Sequence, residues 1–81
     1  MTHYLKINSP FFSAVDRGDK KFEVRFDDRG YQKGDIVVLS EIDAETMEYS
    51  GRALTAEITY VTSYMQQPGY IVFSFNLMRD A

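Results

Sequence analysis

Eighty-one residues make one domain, 1–81, and a chain this short buries only about 60% of the surface its unfolded form exposes, so its core must be efficient. Six Phe and six Tyr supply large buried area per ordered residue, and the absence of Cys excludes disulfides and thiolate metal sites. A net charge of −3 argues against a general phosphate-coating protein, yet from His3 to Gly34 seven Lys/Arg stand against five Asp/Glu, and from Asp35 to Ala81 two stand against seven, so a nucleic acid would meet the first half.

In chain order, His3 to Ile7 reads as a first strand. Ser9-Pro10 offers a capping hydroxyl and a proline at the first helical position, Phe11, Phe12 and Val15 recur at helical spacing, and Gly18 closes the pattern, so a short helix is expected over residues 10–17. Lys21 to Phe26 alternates Phe22, Val24 and Phe26 with Lys21, Glu23 and Arg25, the pattern of a half-buried strand. Asp27-Asp28-Arg29-Gly30 and Lys33-Gly34-Asp35 are turn chemistry, with Tyr31 the one large group between them. Ile36 to Leu39 reads as a strand covered on both faces, and Asp43 to Gly51 as a polar loop turning at Ser50-Gly51. Leu54, Ala56, Ile58 and Tyr60 then form one face of a fourth strand, and after Gln67-Pro68-Gly69 the residues Ile71, Phe73, Phe75 and Leu77 form one face of a fifth. Five strands and one helix predict an α+β, mainly β fold: a small, partly closed barrel with the helix at one end.

The chemistry concentrates between Gly18 and Arg25. In a regular strand Lys21, Glu23 and Arg25 point the same way, each about 7 Å from the next, with the carboxylate between two cations. Lys20 has the parity of Phe22 and Val24 and aims inward unless the strand starts after it; Gly18 makes such a kink cheap. A Lys beside a carboxylate at a barrel mouth can hold a phosphate or carbonyl, and Arg25 offers a planar fork for phosphate or a base edge. The same pattern also suits an ion-pair ladder on a solvated face. Arg29 and Lys33 extend the basic rim or serve as solvated turn residues. His3 has no Cys and no clear partner, so packing is expected of it and neither metal nor cofactor is. Tyr4, Tyr31, Tyr64 and Tyr70 are available either to stack on bases or to pack.

The segment Gly18-Asp19-Lys20-Lys21-Phe22-Glu23-Val24-Arg25 resembles the G-x-K-x-x-E-x-R signature of the ASCH (activating signal cointegrator homology) domain family of the PUA-like superfamily, filling all four positions. Leu5-Lys6-Ile7, the helix with Phe12 and Val15, Asp27-Asp28-Arg29 and Gly34-Asp35 extend the likeness, and Tyr49-Ser50-Gly51-Arg52 is similar to a hairpin of a small bacterial and phage branch. The resemblance implies a PUA-like barrel with a cleft between helix and motif strand that holds RNA or a nucleotide. One bacterial branch hydrolyses an acetylated cytidine with a Lys at the position of Lys20, a Thr where this chain has Glu23, and a distant Glu for which Glu57 is a weak counterpart.

Three readings follow. The first is a non-catalytic RNA- or nucleotide-binding module using Lys20, Lys21, Glu23, Arg25 and Arg29. The second is a small hydrolase of a modified nucleoside or other amide, with Lys20 and Glu23 as catalytic groups within hydrogen-bond reach. The third is a protein partner bound at a sheet edge, which requires an exposed apolar strip. No apolar run approaches the roughly 20 residues of a membrane span and no secretory pattern opens the chain, so a cytoplasmic monomer or weak dimer without membrane association is expected.

Overall fold

A computed structural model describes residues 1–79. Its elements are β1 (Thr2–Asn8), α1 (Ser9–Arg17), β2 (Phe22–Phe26), β3 (Ile36–Ile42), β4 (Tyr49–Thr62) and β5 (Tyr70–Leu77). The five strands form one sheet in the order β1-β3-β4-β5-β2, with β1 parallel to β3 and the other pairs antiparallel. The sheet curls into a half-barrel whose hollow is filled by Leu5, Ile7, Val37, Leu39, Ala56, Ile58, Ile71, Phe73 and Phe75, with Phe12 and Val15 of α1 closing it. The fold is mainly β with one short helix, as expected from the sequence.

The helix starts one residue earlier than its sequence signals suggest. Asn8, not Ser9, is the N-cap, and it makes no side-chain capping bond; Ser9 is helical and its hydroxyl donates to Glu41 at 2.7 Å. Gly18 ends the helix in the left-handed region at φ 85°, and the amides of Asp19 and Lys20 then both turn back onto the Ala14 carbonyl, which launches the chain toward β2.

Two irregularities change which side chains face inward. Opposite Glu41, the register of β3 and β4 jumps from Ser40↔Ala53 to Ile42↔Tyr49, so Ser50-Gly51-Arg52 bulge within β4. Ser50-Gly51 is therefore part of a strand and not the expected turn, which lies upstream where Asp43 accepts the amides of Glu45 and Thr46. A second shift at Thr59 reverses the parity of β4, turning Tyr60 out to solvent and bringing Val61 against the core.

The largest departure is in β2. Its register with β5 sets Glu23 opposite Phe73 and Arg25 opposite Ile71. Paired residues of antiparallel strands share a face, so Glu23 and Arg25 lie on the core side. Glu23 is only 4% exposed, whereas Phe22, Val24 and Phe26 are 46%, 50% and 56% exposed on the outside. The apolar face of this strand points out and its charged face points in.

Candidate functional site

Glu23 is the centre of the inward-facing polar seam. Lys20 Nζ donates both to its Oε1 and, at 2.8 Å, to the Phe22 carbonyl; Arg25 Nε donates to Oε2 at 3.0 Å. Both carboxylate oxygens are thus occupied, and the triad carries one net positive charge. Lys20 also lies between two rings, 5.4 Å from the centre of Phe11 and 5.0 Å from that of Phe22.

Arg25 also donates through Nη2 to the Lys6 carbonyl at 2.6 Å, and Arg29 through Nη1 to the Tyr4 carbonyl at 3.1 Å. These two carbonyls lie on β1, the strand at the opposite edge of the sheet from β2. The half-barrel's open side is therefore a seam between β1 and β2, bridged by guanidinium groups in place of a backbone ladder. Arg25 spends two of the five donors a guanidinium carries in doing so.

Clefts flank this bridge. One of 330 Å³ lies between Lys6, Ile7, Asn8 and Phe11 on one wall and Glu23 to Phe26 with Tyr70 on the other. A second, of 310 Å³, lies beyond Arg25 among Tyr4, Lys6, Arg29, Ser40 and Tyr49. A third, of 320 Å³, adjoins the first through Phe11 and Val24 and extends to Lys20 and Phe22. Phe26 is fixed at the rim: it packs edge-on to Tyr70 at 5.5 Å and covers Gly69 so closely that a Cβ there would meet its ring at 2.5 Å.

Of the residues singled out in the sequence, Lys20, Glu23 and Arg25 converge, and Arg29 joins them at the second cleft. Lys21 does not: it is exposed and lines a depression with Val15, Gly18 and Phe75 on the far side of Lys20, because β2 begins at Phe22 and Lys20, not Lys21, becomes the partner of Glu23. Lys33 is exposed and lines none of these clefts, and Glu57 faces outward on β4. Tyr31 is core, packed on His3 at 4.8 Å and Phe73 at 5.2 Å, and burial raises its pKa. His3 is buried and donates to Asp35 at 2.9 Å, a bond that holds the Asp35 carboxyl below its ordinary range. Sequence reasoning missed Lys6, Phe11 and Tyr49. The usable signal was the parity of β1, which sets Tyr4 and Lys6 together on the face away from Leu5 and Ile7.

A second polar cluster lies at the β4 bulge. Glu41, buried, accepts the hydroxyls of Ser50 at 2.6 Å and Ser9 at 2.7 Å, which together hold its pKa down, with Arg52 3.8 Å away. Arg52 stacks on Phe12 and pairs with Asp16, which also binds Arg79. Arg52 is thus tied to this network and does not reach the basic rim.

The geometry defines a class: a small half-barrel domain with a cation-rimmed, aromatic-lined cleft at its seam. By sequence the chain belongs to the family described as Domain of unknown function (DUF3850), whose model matches residues 2–75. It is also 37% identical over 60 residues to the "Uncharacterized 12.9 kDa protein in GpA 3'region" of Escherichia phage P2, a match covering 74% of this chain and 53% of that protein. The chain thus spans about half the length of the relative it matches.

Proposed function

We propose that this domain is a non-catalytic RNA- or nucleotide-binding module of the ASCH, PUA-like kind, acting in the cytoplasm, with the ligand phosphate received by Arg25 at the seam and flanked by Lys6 and Arg29. The observation that carries the reading is Arg25 itself. It is anchored by Glu23 and the Lys6 carbonyl, points into the junction of two clefts, and keeps donors beyond those two bonds. Among the described residues the only carboxylate lining these clefts is Glu23, and two cations neutralise it. Long-range attraction from the basic first half favours approach of an anion to this side despite the negative net charge.

The hydrolase reading keeps one specific observation, the direct contact of Lys20 Nζ with Glu23. It has less support, because Glu23 is only 4% exposed and each of its oxygens is engaged by a cation, so water has little access to it. The test of the binding reading is titration with short RNAs and nucleotides across a salt series. With three cations engaging phosphates of a single strand, log K is expected to fall with log salt at a slope of about −2. Arg25→Ala and Arg29→Ala each lower that slope, and Lys33→Ala leaves it unchanged. Salt-independent binding, or equal binding by wild type and both arginine variants, contradicts the reading.

A further inference from the structure

Among the described residues eight aromatic side chains are exposed: Tyr4, Phe11, Phe22, Phe26, Tyr49, Tyr60, Tyr64 and Tyr70. All but Tyr60 and Tyr64 line the three adjoining clefts along the seam. Burying these rings in the core was open to a chain of this size, and the register of β2 instead turns Phe22 and Phe26 outward. The clefts connect in series. Phe11, Glu23 and Val24 are shared by the Lys20 cleft and the central one, and Lys6 and Arg25 by the central cleft and the Tyr4 cleft. One groove therefore runs from Phe22 past Phe26 and Tyr70 to Tyr49, with cations spaced along it: Lys20 at one end, Arg25 and Lys6 at the middle, Arg29 beyond. Lys6 reaches over the Tyr49 ring at 5.9 Å.

A mononucleotide has one base and one phosphate position to fill, and uses only part of such a groove. Alternating rings and cations along a continuous track match the repeat of a single strand, whose unpaired bases stack on aromatic faces while the backbone follows the positive charge. A duplex hides its base faces and cannot use the rings. Resting on the binding function proposed above, we infer that the ligand is a single-stranded nucleic acid of at least three nucleotides, threaded along the seam with a backbone phosphate on Arg25 and bases at the Phe11/Phe22, Phe26/Tyr70 and Tyr4/Tyr49 positions.

The experiment is a length series of 5′-labelled oligouridylates from one to six nucleotides, with a hairpin duplex of matching sequence length, measured by fluorescence anisotropy at fixed salt. Wild type is compared with Phe22→Ala and Tyr49→Ala, both at the ends of the groove and exposed, so that folding is unaffected; a thermal melt checks this. Affinity is expected to rise by roughly ten-fold for each base stacked up to three nucleotides, and each end variant to remove about one such increment from the affinity for the trinucleotide. A flat length dependence with Arg25-dependent binding overturns the single-strand inference and leaves the binding module standing. Equal affinity for the duplex overturns it likewise. No binding of any length, with or without Arg25, overturns both, and directs attention to a protein partner on the exposed Phe22, Val24 and Phe26 strip.

Discussion

Glu23 holds two cations in place, and its value lies in that role. Lys20 and Arg25 are both largely covered, with side chains 17% and 25% exposed, and each depends on the carboxylate for its nearest negative charge. Removing the carboxylate leaves two like charges adjacent in a partly dry seam. Glu23→Ala is expected to destabilise the domain by about 3 kcal/mol, readable by urea denaturation, and more than Lys20→Met, which leaves Glu23 paired with Arg25. A cost no larger than that of an exposed ion pair counts against this role. Two other carboxylates set the acid limit. Asp35 is depressed mainly by its bond from His3, and Glu41 by the hydroxyls of Ser50 and Ser9. A folded-state pKa below the unfolded value gives stability that is present above the unfolded value and is lost as pH falls through the folded one. The melting temperature is therefore expected to drop once pH falls below about 4, where ordinary carboxylates begin to protonate, and Glu41→Gln is expected to flatten part of that drop.

At the scale of elements, the strand and helix count was legible because periodicity and turn residues mark them directly. β5 is the clearest case: Ile71, Phe73 and Phe75 alternate and all three are core. The orientation of β2 was not legible. Alternation shows that a strand has two different faces, and the choice of inner face is made by pairing with β5, a contact between residues some fifty positions apart. Preference for burying Phe gives the wrong face here. Within β4, the extra residue at Thr59 sends Tyr60 out, and nothing local in the sequence announces it. The motif from Gly18 to Arg25 was legible as a cluster of cations around one carboxylate, but its partner Lys6 was not, because only the curl of the sheet brings β1 opposite β2. The two bulge and turn glycines give a test at this scale. Gly51, at φ 91° with open space around it, is expected to cost about 1 kcal/mol on replacement by Ala through backbone strain alone. Gly69→Ala is expected to cost more, since its Cβ also displaces the Phe26 ring, and to weaken oligonucleotide binding where Gly51→Ala does not. Equal stability losses, or unchanged binding, contradict the role given to the Phe26 rim.

For the whole molecule, the sheet order explains why the candidate site collects on one side. A five-stranded sheet that curls without closing leaves two edges, and unpaired edges invite unwanted pairing. Here the edges face each other, and arginine side chains occupy the β1 carbonyls that would otherwise be exposed. The device that protects the edge also sets cations along a groove and leaves donors for a ligand. The Glu41, Arg52 and Asp16 network fixes α1 against β3 and β4, and none of these three side chains lines the groove. The most direct test of this account is a crystal structure of the domain grown with a short single-stranded oligonucleotide. A backbone phosphate is expected within hydrogen-bond distance of the Arg25 guanidinium, with bases against the Phe26/Tyr70 rim. An oligonucleotide bound elsewhere, with Arg25 still engaged only by Glu23 and the Lys6 carbonyl, would contradict it.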